Sequence, residues 1–279
     1  MWNSYDVNKD FCVTQIYSLF ESHFDSSYSF SGETHNFWEC LYVKKGKISV
    51  SGNERVFSLK DGNLIFHKPL ELHKFNVESQ SGAEVFIFSF SLEGNIAPHL
   101  KYNVFSLNKE QKKIIEEFTS YIKKENPSYL SASKKEVMYL QEGLKKSKYL
   151  PIVALFIEIL IMSLSENKKT TLTDSSPAAA TFTKAVNYMN NNISSHPSIE
   201  SIASYCNIST TGLKRIFTKY AGLGIHKYFL KMKINAAIEL LKDGHTISDT
   251  AFSLGFSNQG YFSYVFKRET GKQPSYYKH

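Results

Sequence analysis

The chain has 279 residues, 42% of them hydrophobic and 21% charged, which excludes a disordered composition and suits two ordinary globular domains better than one very large one. Its formal charge of +7 is concentrated: Lys and Arg against Asp and Glu number 21 and 21 in residues 1–180, but 12 and 5 in residues 181–279. A basic part attached to a neutral one points to a polyanionic partner for the last third, or else to a plainly solvated basic surface.

The N-terminal MWNSYDVNKDF lacks a basic start followed by an apolar run, so no signal peptide is expected. Cys12, Cys40 and Cys206 offer no CxxC spacing and no disulfide framework, which fits a reducing cytoplasm. Residues 35–91 read as short, closely spaced strands, the pattern of a sandwich or barrel. In FWECLYV, Trp38, Cys40 and Tyr42 fall on one face and Glu39, Leu41 and Val43 on the other. Gly52-Asn53 and Asp61-Gly62 are turn signals, and NLIF and VFIFSFS complete the set. His67 reads as a loop residue.

Helices take over near residue 107. Asn108 with Gln111 forms a capping box ahead of Ile114, Ile115, Phe118, Tyr121 and Ile122 on one face. Ser133 with Glu136 forms another, ahead of Val137, Leu140 and Leu144. LPIVALFIEILIMSL, residues 150–164, is shorter than the roughly 20 residues a membrane span needs, and Glu158 interrupts it. It reads as a buried or dimer-forming helix, with no membrane association. SENKKTTLTDSSPAAAT, residues 165–181, has no large aromatic or long aliphatic run and reads as a linker.

The last hundred residues repeat. SIESIASYCNIS at 198–209 aligns with TISDTAFSLGFS at 246–257, with Ala203 matching Ala251, while Phe217 matches Phe266 and Gly222 matches Gly271 after one inserted residue. In each copy Ser198 or Thr246 caps a short helix, and a turn follows, Cys206-Asn207-Ile208 or Leu254-Gly255-Phe256. Ser209 or Ser257 then caps a second helix. That is the grammar of a helix-turn-helix. In the second helices Leu213, Ile216, Phe217 and Tyr220, then Phe262, Val265 and Phe266, anchor one face. Thr210, Thr211, Lys214, Arg215 and Thr218, then Gln259, Ser263 and Lys267, lie opposite. Hydroxyls, amides and cations are the groups that read base edges and hold phosphates. Between the copies, residues 225–244 form a helix on which Tyr228, Met232, Ala236 and Leu240 keep the repeat and which Gly244 ends. A connector of about 16 residues, about 24 Å long, would place the recognition helices in successive major grooves about 34 Å apart.

The pattern I-x-x-x-A-x-x-x-G-F-S-x-x-x-Y-F-x-x-x-F-K-x-x-x-G-x-x-P-x-x-Y, from Ile247 through Tyr277, resembles the signature of AraC/XylS-type transcription regulators. L-x-R-x-F at 213–217 and K-x-x-x-A at 233–237 resemble the rest of that DNA-binding domain, so the resemblance covers roughly residues 181–279. It implies base or phosphate contacts from Thr210, Thr211, Lys214, Arg215 and Lys219 in the first copy. In the second it implies Asn258, Gln259, Ser263, Tyr264 and Lys267. Tyr264 and Lys233 stand where the family usually has Arg. Residues 33–76 resemble, more loosely, the cupin-like sensor half of the same family, through His35, Glu39, Gly46, Gly62, Pro69 and His73. In metal-binding cupins two His and a Glu of the first motif join a His of the second. Here Glu33 takes the first His position, leaving His35, Glu39 and His73 as the candidate ligands. The resemblance favours an organic effector over a metal or other cofactor, bound near His35, Trp38, Glu39, Tyr42, Phe66 and His73. The aromatics among these, with Phe86 and Phe88, either line a pocket or pack as core.

The fold expected is α+β and multidomain. A cupin-like β-barrel with accessory helices, 1–164, senses an effector and dimerises. A linker, 165–180, joins it to an all-α domain, 181–279, with two helix-turn-helix motifs on a linker helix. The function expected is a cytoplasmic regulator of transcription, an activator rather than a repressor, that is not an enzyme. Its expected partners are double-stranded promoter DNA, a small-molecule effector such as a sugar, RNA polymerase and a second copy of itself through helices 109–124 and 150–164. The rival readings are a cupin-type metalloenzyme with a DNA-binding tail and an effector-free dimeric regulator.

Overall fold

A computed structural model describes residues 10–52, 55–94, 100, 104–125, 148–164, 174 and 176–278. The capping box at Ser133 and Glu136, Asn53 and most of the expected linker lie outside them.

Among the described residues, eight strands form two antiparallel sheets. They are β1 (Phe11–Phe24), β2 (Trp38–Lys45), β3 (Lys47–Gly52), β4 (Arg55–Lys60), β5 (Asn63–His67), β6 (His73–Val77), β7 (Ala83–Gly94) and β8 (Val104–Ser106). One sheet runs β1-β7-β2-β5-β8 and the other β4-β3-β6. Leu41 and Val43 of the first sheet share a core with Ile48, Val50, Phe57 and Phe75 of the second, so the sheets close over an apolar interior. β1, β6 and β8 add to the strands read from the sequence. β1 hides there because two register breaks, at Val13/Gln15 and Ile16/Ser18, spoil its alternation.

The outer face of the larger sheet is covered by α1 (Lys109–Glu125) and α2 (Tyr149–Leu164). Phe118 packs edge-on to Phe86 and Phe88 at 5.3 and 5.6 Å between ring centres. The capping box of α1 is reciprocal: Gln111 N–H donates to Asn108 Oδ1 at 2.9 Å and Asn108 N–H to Gln111 Oε1 at 3.0 Å. Glu158, the one charge in α2, is buried and accepts the Val13 N–H at 2.9 Å. It fixes the helix to the bulged edge strand.

The helical half begins earlier than the composition suggests. α3 (Pro177–Asn191) starts inside the stretch read as linker, with Ser176 as cap and Pro177 at the first helical position. Then come α4 (Ile199–Tyr205), α5 (Thr210–Ala221), α6 (Ile225–Lys242), α7 (Ile247–Ser253), α8 (Gln259–Thr270) and a 3₁₀ turn at Pro274–Tyr277. Ala203 and Ala251 are buried where the paired helices cross. Along α6 the buried stripe is Tyr228, Phe229, Ile234, Ala237, Ile238 and Leu241. Met232, Ala236 and Leu240, expected on it, lie at its edge.

A DNA-reading surface seated on a ligand-binding barrel

Each recognition helix is started by a side-chain cap. Ser209 Oγ accepts the Gly212 N–H at 3.1 Å, and Asn258 Oδ1 accepts the Tyr261 N–H at 2.7 Å. The expected second cap was Ser257. The inserted residue falls in the turn, ahead of the helix, so the cap moves one place to Asn258. Thr211, Lys214, Arg215 and Lys219 are exposed on α5, with Thr210 half-buried. On α8 Gln259, Tyr264 and Lys267 are exposed, with Ser263 half-buried and the Asn258 cap exposed beside them. Every residue expected to meet DNA therefore lies on the outward side or edge of its helix. Tyr261 is 55% exposed and widens that polar face.

Lys233 holds the two motifs in one body. Its buried ammonium donates to Leu254 O at 2.8 Å and Ser195 O at 3.0 Å and sits 4.9 Å from the Phe229 ring centre. It thereby ties the second turn to the chain between α3 and α4. Burial lowers its pKa. Gly255 takes φ +74° in that turn, and a Cβ there would stand 2.1 Å from Ser194 O. The 18-residue α6 spans about 27 Å, and these cross-links fix how the motifs face each other.

The barrel grips the first recognition helix by its C-terminal end. Lys74 Nζ donates to Thr218 O at 2.9 Å, Asn76 Nδ2 to Lys219 O at 3.3 Å, and Ser51 Oγ to Tyr220 O. These are carbonyls of the last turn, where a helix runs out of its own donors; Thr218 O also accepts the Gly222 N–H at 3.2 Å. Val56 and Leu72 of the barrel join the apolar core of α3 to α6. On the second motif's side α6 meets the barrel, where Asn235 Nδ2 donates to Leu70 O at 2.8 Å and Lys231 Nζ to Thr34 Oγ1 at 3.4 Å, and Leu70 packs against the second motif's apolar core.

The residues expected to bind an effector divide between two places. Trp38, Tyr42 and Phe66 belong to the core under α1 and α2, together with Phe86 and Phe88. They pack as core, because alternation sends them to the face opposite Glu39. His35, Glu39 and His73 do converge, and Glu33 joins them. His67 is a correction: it is 1% exposed at the end of β5, stacked on His73 at 4.3 Å. It pairs with buried Glu71, Nδ1 to Oε1 at 3.8 Å. Burial opposes ionisation of Glu39, yet His35 and His73 hold its carboxyl well below the usual range. Burial would lower the His73 pKa, but Glu33 and Glu39 outweigh it and push it up to about 10. The ring thus forms one electrostatically coupled group.

A barrel with a polar ring inside it, joined to two capped recognition helices in one body, defines a ligand-binding DNA regulator. The sequence profile of the AraC-like ligand binding domain matches residues 19–101, and that of a helix-turn-helix domain matches residues 202–279. The chain belongs to the AraC family of transcription regulators. It is similar to the uncharacterized HTH-type transcriptional regulator YfiF of Bacillus subtilis, 25% identical across 88% of this chain and 77% of that protein. It is also similar to the HTH-type transcriptional activator RhaR of Salmonella dublin, 30% identical across 43% of each chain. Among solved structures, ToxT from Vibrio cholerae O395 is similar at 15% identity, 97% of each chain and a TM-score of 0.39. No described helix is long and apolar enough to cross a membrane.

Proposed function

We propose that the chain is an effector-controlled activator that binds promoter DNA in the cytoplasm as a homodimer and recruits RNA polymerase, with no catalytic step of its own. The observation that carries the DNA reading is the pair of capped helices with exposed Lys214, Arg215, Gln259 and Lys267, held in one body by Lys233. Barrel and recognition helix share hydrogen bonds, so an effector that favours one arrangement shifts the population of the other. Support for a dimer comes from α2, where Leu155, Ile159 and Met162 are exposed along one stripe. The RhaR likeness supports activation, though not any particular effector.

The test is selection of bound sequences from a random duplex pool with the full chain. A site with two short elements about one helical turn apart is expected; absence of any enriched site rejects the reading. Arg215→Ala should then cost about 1–3 kcal/mol at one base pair and relax specificity there. An equal loss on all sequences would make Arg215 a phosphate contact.

A further inference from the structure

One ligand atom from each of Glu33, His35, Glu39 and His73 lies within 4.8 Å of all the others, close enough for the four to share one ion. His73 Nε2 stands 3.2 Å from Glu39 Oε1 and 3.6 Å from Glu33 Oε1. His35 Nε2 stands 3.8 Å from Glu39 Oε2 and 3.9 Å from Glu33 Oε1. Ligand atoms about 2.1 Å from one ion stand about 3.0 Å apart at a right angle and about 3.4 Å apart in a tetrahedron. Small side-chain rotations would therefore close all four around one ion.

The imidazoles are already oriented for it. His35 Nδ1 donates to Phe37 O at 2.9 Å and His73 Nδ1 to Glu71 O at 3.1 Å. A carbonyl only accepts, so in both rings Nε2 is the atom turned to the gap. Both Nε2 atoms are buried, and neither meets the geometry of a hydrogen bond. Two imidazoles and two carboxylates suit a divalent first-row transition metal.

Chain neighbours of Glu33 and His73 hold the first recognition helix. Glu33 and His73 exchange backbone hydrogen bonds at 3.0 and 3.1 Å. Just before Glu33, the backbone of Ser31 and Gly32 lies against Ala221 and Gly222, and a Cβ on Gly222 would stand 1.9 Å from Ser31 O. Just after His73, Lys74 caps Thr218 O. We propose that a divalent transition-metal ion held by Glu33, His35, Glu39 and His73 is a ligand this barrel senses, and that it acts by tightening the seat of α5 through the Ser31–Glu33 strap and Lys74. The proposal rests on the barrel being the sensor, and it replaces the expectation of a purely organic effector with a metal ion.

The test uses the full chain stripped of metal and titrated with Zn²⁺. About one ion per chain should be retained. Amide exchange over residues 218–222 should slow, and affinity for the selected duplex should change about tenfold. His73→Gln and Glu39→Gln should lose uptake. Their thermal melts establish that they fold, and half-exposed Glu33→Gln serves where they do not. Lys74→Met should keep uptake and lose the exchange response. Uptake unchanged in the folded ligand variants overturns the site. Uptake with exchange at 218–222 unaltered, or with affinity unaltered, overturns the coupling. Uptake and exchange are read without DNA, so failure of promoter binding would be seen separately.

Discussion

The two helix-turn-helix motifs descend from one pattern, yet they are held differently. The last-turn carbonyls of α5 are capped by Lys74, Asn76 and Ser51 of the barrel. The last turn of α8 ends at Gly271 with nothing within 4 Å of where a Cβ would stand. α8 draws its rigidity from its own core of Phe262, Val265 and Phe266 against α6 and α7. Under the proposed effector control, a change in the barrel would meet α5 directly and the second motif through α6, Leu70 and Lys233. The two copies thus share a pattern, and one of them is docked on the barrel.

Core deletion should break the comparison most strongly. Phe262 is fully buried in the second motif, so Phe262→Ala should cost about 3–5 kcal/mol. Selection with that variant should enrich the first motif's element alone; loss of both elements would mean the two motifs fold as one cooperative unit.

The helix-ending glycines give a cleaner contrast. Gly222 and Gly271 have φ of +65° and +75°. Gly271→Ala should cost only the left-handed backbone penalty, about 1–2 kcal/mol. Gly222→Ala adds a collision with Ser31 O and should also unseat the barrel. Thermal melts with limited proteolysis between the domains measure both, and equal effects would show that the seat contributes no stability.

The smallest effect is expected at the caps. Ser209→Ala and Asn258→Ala should each cost about 1 kcal/mol. The Asn258 loss should fall on its own motif, whereas the Ser209 loss should be partly masked because the far end of α5 is held by the barrel. Amide exchange in the first turn of each helix reads the difference.

Much of this was legible in the residues. The Ser and Thr caps, Gly255 in the turn and the alternation of Trp38 against Glu39 follow from local chemistry, and the structure repeats them. The displaced cap at Asn258 was missed because a one-residue insertion can sit in a turn or in a helix without changing composition. The effector set mixed two faces of β2, although alternation already separated Trp38 and Tyr42 from Glu39. α3 was missed because SSPAAAT is as good a linker by composition as it is a helix start by Pro177 and its alanines.

The residues alone place the chain in its class, through two capped motifs, a basic half and a strand-rich neutral half. Those signals are local, set by backbone geometry and periodicity within a few turns of chain. It took the packed fold to bring Lys233 to both motifs, Lys74 and Ser51 to α5, and His73 against Glu33, His35 and Glu39. Those contacts join residues far apart in the chain, and a polar side chain's partner is fixed by the packing of whole sheets and helices. No local pattern encodes it.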